Sequence, residues 1–374
     1  MALSTSPTKP LCPFSSWMSS PLGLYLHIPF CLSKCRYCDF FSGKATGEQM
    51  EAYVLGLEAR IASLEGLEFT SVYFGGGTPT AILPERLCRL LSRVKLAPGA
   101  EVSFEANPAT VNGADLVRLR QGGFNRISVG VQSFSEGELA ALGRIHTADQ
   151  AKKTVLDAQN AGFDRVSLDL MLGIPGQTKE SALFSVEQAL SLGVGHVSAY
   201  CLKLEPGTPM YAQYPDGRGL PDEDETADIY LSVVSALEAG GLGQYEISNF
   251  ARPGQECRHN LLYWELGDYI GLGPSAHSFY RGQRFEFPRS ADFTAGFENV
   301  FSGAVGEETD VQTEYIMLSL RTARGISRER LSPRAQKKLE TYAAHGFARV
   351  TPEGFALTPR GFLVSTHIIS DILF

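Results

Sequence analysis

Residues 24 to 42 read LYLHIPFCLSKCRYCDFFS and place Cys31, Cys35 and Cys38 within eight positions at the end of an alternating apolar run. Leu24, Leu26 and Ile28 share one face of a strand by period two, with Tyr25 and His27 on the other, expected to look inward. A strand that ends in three thiols raises two questions: which elements accompany it, and what the thiols hold.

The rest of the chain supplies the companions. Short runs at Leu24–Ile28, Ser71–Phe74, Val102–Glu105, Arg126–Val129, Arg165–Asp169 and His196–Tyr200 alternate with amphipathic stretches such as GEQMEAYVLGLEARIASL and SALFSVEQALSLG. Pro84 and Asn112 are placed to start helices. Six strand–helix units in series predict an α/β fold with a parallel sheet, doubly wound or curled into a barrel. At or just after the strand ends sit Cys31, Gly75-Gly76-Gly77-Thr78, Glu105, Gln132 and Asp169. Chemistry gathers at such a rim in barrels, because the loops after the strands converge there.

Beyond about Arg284 the rhythm changes. VQTEYIMLSLRTARGIS and RERLSPRAQKKLETYAAHG read as helices, ARVTPEGFALT as a hairpin, and Thr358-Pro359 opens a last helix. The expected organisation is a tail over 1–20, rich in Ser and Pro and disordered, a partial barrel over 21–284, and a small winged-helix-like domain over 285–374.

Composition limits the function. With 374 residues and a hydrophobic fraction of 44%, the chain has ample material for a core. Seven cysteines, an odd number spread thinly, argue against a secreted disulfide framework and for a reducing compartment. No run reads as a membrane span and the start does not read as a signal or transit peptide, so a cytoplasmic location is expected. A net charge of −8 argues against nucleic acid as the main partner. Residues 321–360 go the other way, with nine cations against three acids, and read as a solvated helix face or a docking patch.

Structural zinc favours four ligands, commonly as two separated pairs, and no second pair follows here. A disulfide would leave one thiol over. An iron–sulfur cluster is commonly held by four thiolates, so three from one loop would leave one iron of a cubane open to a ligand from outside the protein. Zinc remains the competing reading.

The spacing CxxxCxxC after a first strand, followed one strand later by GGGTP, resembles the radical S-adenosylmethionine superfamily. More narrowly, YLHIPFC, YFGGGTP, FEANP, SVGVQSF, LGRIH and SLDLMLGIPGQT, in that order, resemble the oxygen-independent coproporphyrinogen oxidase family from about Pro21 onward. The resemblance implies a [4Fe–4S] cluster on Cys31, Cys35 and Cys38, with S-adenosylmethionine chelating the fourth iron and Tyr37 beside its adenine. It also implies that Tyr25, Gly76, Gly77, Thr78, Glu105, Gln132, Arg144 and Asp169 line the S-adenosylmethionine site. Glycines without side chains allow a ligand to meet the backbone. Glu105 can neutralise a cation, Asp169 can accept from ribose hydroxyls, and Arg144 can pair with a carboxylate.

Within that family, the coproporphyrinogen dehydrogenases carry a fourth cysteine two residues past the third, where this chain has Phe40. CDF resembles instead the HemW branch, regarded as heme chaperones. The segment Cys257 to Trp264, CRHNLLYW, resembles that branch's HNxxYW signature, which implies that His259 takes part in heme binding. The implied partners are heme, S-adenosylmethionine and acceptor hemoproteins, some of which could be membrane-associated. Coproporphyrinogen decarboxylation, or radical chemistry on another substrate such as RNA, is the alternative. His277 reads as structural, Cys12 as a tail thiol, Cys88 and Cys201 as buried small side chains, and PDEDETADIY as an acidic helix start.

Overall fold

A computed structural model describes residues 21–308 and 310–374; the expected tail and Cys12 lie outside the described residues. Six parallel strands follow in order: β1 (Leu22–Ile28), β2 (Phe69–Gly76), β3 (Leu96–Ala106), β4 (Arg126–Gln132), β5 (Arg165–Leu172) and β6 (His196–Cys201). All six expected strands are present, each longer than its apolar kernel.

The helices between them are fixed by caps that the sequence supplies. Thr46 and Gln49 form a capping box that starts α1 (Gly47–Ala62), whose Tyr53, Val54, Leu57 and Ile61 face the sheet. Pro84 occupies the first turn of α2 (Pro84–Leu91), and Asn112 caps α3 (Gly113–Gln121). Next come α4 (Glu136–Leu142), α5 (Ala148–Asn160), α6 (Lys179–Ser191), α7 (Pro209–Gln213) and α8 (Glu223–Ala239). Asp222 and Glu225 box the start of α8, so the acids of PDEDETADIY cap a helix, as expected.

Strand pairing runs β1 to β6 in sequence order. The barrel does not close, because β1 pairs on its far side with the parallel β9 (Asp268–Leu272), while β6 pairs with the antiparallel β8 (Asn249–Ala251), followed by β7 (Gly243–Gln244). Helix α9 (Arg258–Trp264) precedes β9, and β10 (His277–Tyr280), β11 (Gln283–Glu286) and β12 (Val305–Glu307) extend that edge as an antiparallel meander.

The expected division after Arg284 falls inside β11. Residues 285–307 stay with the barrel, because Phe287 and Phe293 are buried in its core, where the Arg60 guanidinium sits 5.4 and 4.3 Å from their ring centres. A separate apolar core starts at Ile316. It is built from α10 (Val311–Ser319), β13 (Ile326–Ser327), α11 (Pro333–Ala344), β14 (Ala348–Val350), β15 (Gly354–Leu357), α12 (Pro359–Leu363) and α13 (Ser365–Leu373). The predicted hairpin is β14–β15. The first predicted helix ends sooner than expected, because Ile326 and Ser327 pair with β15 as a third strand.

Within residues 321–360, Lys338 pairs with Asp371 at 2.7 Å, Arg328 with Glu340 at 3.1 Å and Arg324 with Glu265 at 3.6 Å. Arg360 lies over Phe347. These contacts favour the solvated-face reading of the basic stretch. Among the described residues no helix is long and apolar enough to cross a membrane.

Candidate cluster and cofactor site

The loop after β1 is stapled to its surroundings at several points. Cys31 N–H donates to the Gly43 carbonyl at 2.9 Å, Arg36 N–H to Leu142 at 3.1 Å, and Met210 N–H to the Arg36 carbonyl at 2.9 Å. The His27 Nε2–H donates to the Phe41 carbonyl at 2.8 Å, which leaves Nδ1 to accept from the Tyr25 hydroxyl at 3.2 Å. Cys31, Cys35 and Cys38 are unbridged and line one cavity of about 520 Å³ at the carboxyl ends of the strands. Burial pushes the Cys38 thiol up, and the two neighbouring thiols add to the shift. A cubane takes one thiolate on each of three separate irons, the number this loop supplies.

Most of the residues that the resemblance assigns to S-adenosylmethionine open onto the same cavity. Thr78 Oγ1 lies 3.5 Å from Cys31 Sγ. Gly76 has φ +110°, and a Cβ there would come 2.5 Å from the His27 ring; on Gly77 it would come 2.7 Å from the Phe30 carbonyl oxygen. Glycine is therefore required at both for close packing, and a ligand can approach the backbone. Gln132 follows an irregularity in the β4–β5 register and has φ +69°, which turns the chain out of the strand at the rim. Tyr37 packs against the small apolar cluster of Leu142, Met171, Ile174 and Met210, and burial pushes its hydroxyl up.

The charged groups have definite partners. Glu105 accepts from the Tyr73 hydroxyl at 3.1 Å and from Gly76 N–H at 3.3 Å; burial, then the nearby Asp169, push its carboxyl up to about 7. Asp169 accepts from Ser128 Oγ at 3.0 Å, and burial raises it too. Both carboxylates stand in a setting that disfavours their charge, and a cationic guest relieves that cost. Arg144 donates to Cys35 Sγ at 3.2 Å and to the Gly130 carbonyl at 2.6 Å, while its buried Nε has no partner. Two acids on one side and an arginine with a spare donor on the other suit a molecule that carries a cation and a carboxylate. S-adenosylmethionine has a sulfonium, an ammonium and a carboxylate, so the donor set fits. When bound with a cluster, it would supply radical chemistry; the residues here would hold, orient and neutralise it.

Tyr25 stands one step away from the cavity wall, stacked on Tyr73 with ring centres 6.3 Å apart. The inward expectation for Tyr25 and His27 holds for both.

His259 lies in the barrel interior. Its side chain is 0% exposed, with Nδ1 2.8 Å from Ser71 Oγ and Nε2 2.7 Å from the Tyr263 hydroxyl. Burial pushes its value down to about 3, so the ring is neutral. Both ring nitrogens are therefore hydrogen-bonded in this conformation. Cys257 is buried too, yet both it and Asn260 line the cavity. Cys201 also departs from expectation: it is exposed because it opens onto the cavity mouth, and Cys88 is only partly buried. His277 lies outside the cavity's lining, half-exposed on β10, within 3.4 Å of Glu286 and 3.2 Å of Glu307.

Sequence reasoning overlooked the lower wall of the cavity: Tyr73, Ser103, Arg126, Ser128, Ser167, His196 and Ser198. The signal was present as alternating polar positions in Ser103–Glu105, Arg126–Ser128, Ser167–Asp169 and His196–Ser198.

Comparison with known proteins agrees with this architecture. Residues 25–189 match the radical SAM superfamily. The solved structure of the coproporphyrinogen III oxidase HemN from Escherichia coli, a radical SAM enzyme, superposes with a TM-score of 0.77 at 24% identity, over 94% of this chain and 89% of that one. Fold and site together define a radical S-adenosylmethionine protein. A protein of Mycobacterium tuberculosis named heme chaperone HemW is 36% identical over 370 residues, 94% of this chain and 95% of its own length. The Escherichia coli protein of the same name is 42% identical over 69% of this chain and 70% of its own length. The chain belongs to the HemW family.

Proposed function

We propose that this protein is a heme chaperone: it carries a [4Fe–4S] cluster on Cys31, Cys35 and Cys38, binds S-adenosylmethionine beside it, and delivers heme to hemoproteins. The observation that carries the reading is similarity to HemW proteins along nearly the whole chain, joined to Phe40 at the place of the dehydrogenases' fourth cysteine. Phe40 is 67% exposed at the mouth of the cavity, so it adds apolar surface where those enzymes have a thiol. Thr78, Glu105, Gln132, Arg144 and Asp169, with Gly76 and Gly77, are assigned to S-adenosylmethionine, Tyr37 to its adenine, and Tyr25 to support of that wall. The barrel unit is assigned to residues 21–308 and the winged-helix-like unit to 310–374, with action in the cytoplasm.

The test is an anaerobic preparation loaded with heme and mixed with an apo-hemoprotein. Transfer of heme, with no vinyl product from coproporphyrinogen III under reducing conditions, is the expected result. Decarboxylation of coproporphyrinogen III without heme retention would place the chain among the dehydrogenases.

A further inference from the structure

The buried setting of His259 leaves its role open, and the contacts around it supply one. The ring fills the level of the barrel formed by the registered pair Gly23 and Ser71; a Cβ on Gly23 would come 3.1 Å from His259 Cε1. One inward level nearer the cluster end stands the next registered pair, Tyr25 and Tyr73. Tyr73 stacks on His259 with ring centres 5.4 Å apart and planes 24° apart, and on Tyr25 at 6.3 Å and 25°. Its hydroxyl is the side-chain donor on Glu105, 3.1 Å away. Ser71 and Tyr263, bonded to the two ring nitrogens, hold the imidazole plane in place.

We infer that His259 is a positioning residue for the S-adenosylmethionine site, acting through the stacked ring of Tyr73 on the carboxylate of Glu105. This inference rests on the proposed cofactor site, and it replaces an iron bond by a packing contact as the reason for a histidine in this signature. An aromatic ring on a second ring restricts its tilt, and a tyrosine that cannot tilt keeps its hydroxyl on one carboxylate oxygen. Removal of His259 opens a void behind Tyr73 and frees that motion. The polar partners fix which ring fits: Ser71 and Tyr263 each need a nitrogen, and a neutral imidazole gives one donor and one acceptor.

The experiment measures S-adenosylmethionine affinity and heme spectra in parallel, on anaerobic cluster-loaded protein, for wild type, His259→Ala, His259→Phe and Tyr73→Phe. Loss of one hydrogen bond to a charged group corresponds to roughly tenfold or more in affinity, and that weakening is expected in His259→Ala and Tyr73→Phe. His259→Phe keeps a ring under Tyr73, so its affinity is expected to stay within about threefold of wild type. Both His259 variants are expected to retain the wild-type axial-ligand signature of bound heme. Should His259→Phe fail to fold with Ser71 and Tyr263 unpaired, His259→Ala decides, with Tyr73→Phe, which leaves His259 in place, as the check on the Glu105 contact. Unchanged affinity in Tyr73→Phe or in His259→Ala overturns the inference. So does loss of the axial-ligand signature in both His259 variants with unchanged S-adenosylmethionine affinity. Wild-type protein that binds no S-adenosylmethionine overturns the cofactor reading itself, and the inference with it.

Discussion

The two cores of this molecule are built on opposite plans. In the C-terminal unit Ile316, Leu320, Leu339, Phe355, Phe362 and Ile368 form an apolar interior, and charged pairs such as Lys338–Asp371 stay outside. In the barrel the outward faces of the strands make the apolar core, while the inward faces carry Tyr25, Tyr73, Glu105, Arg126, Asp169 and His196. A sheet that buries polar groups inside pays for it in desolvation unless a guest or a fixed partner satisfies them. The first core is apolar throughout, whereas the second keeps buried polar groups that a charged occupant would relieve.

The largest effects are expected when one interior side chain is removed from each core. Glu101, fully buried at the barrel floor, lies 3.2 Å from Arg165, 3.8 Å from Arg126, and accepts from His259 N–H at 3.1 Å. Glu101→Ala strands the buried Arg126 and is expected to cost about 3–5 kcal/mol in urea denaturation. Leu339→Ala leaves only a cavity and is expected to cost about 2–5 kcal/mol. The two variants separate in binding: the Leu339 change leaves S-adenosylmethionine affinity unaltered, whereas the Glu101 change weakens it. Equal effects on binding would mean that the cores do not differ in role.

A smaller effect is expected from pH. The Glu105 carboxyl stands at about 7 in the fold against an ordinary 4.5. Between those values the unfolded chain has already lost this proton while the folded chain keeps it, so the group's contribution to stability falls as pH rises and is lowest above 7. Ligand-free protein is expected to lose stability across that window, and Glu105→Gln is expected to flatten the loss. S-adenosylmethionine, a cation, favours the carboxylate, so its affinity rises with pH over the same range in wild type but not in the variant. Thermal melts and equilibrium dialysis at three pH values check both statements.

The six parallel strands and the cysteine loop were legible because each rests on local sequence: period-two apolar kernels, helix caps such as Thr46 and Asn112, and thiol spacing. Strands of two or three residues, Gly243–Gln244 and Ile326–Ser327 among them, carry no period of their own and form only because a neighbour offers an edge. The boundary expected after about Arg284 meets a related limit: Phe287 and Phe293 look like any loop aromatics until Arg60, far away in sequence, is seen packed against them. His259 shows the same limit. Its segment is recognisable from HNLLYW, but its burial depends on Gly23, Ser71 and Tyr73, which approach it only through the β1–β2 pairing.

The account depends most on three thiolates holding a cluster with one iron left open, beside two acids that welcome a cation. Anaerobic reconstitution followed by paramagnetic resonance of the reduced protein tests this directly. The prediction is about four irons and four sulfides per chain, with a signal that shifts when S-adenosylmethionine is added. Uptake of zinc without sulfide, or an iron–sulfur signal that S-adenosylmethionine leaves unmoved, would contradict it.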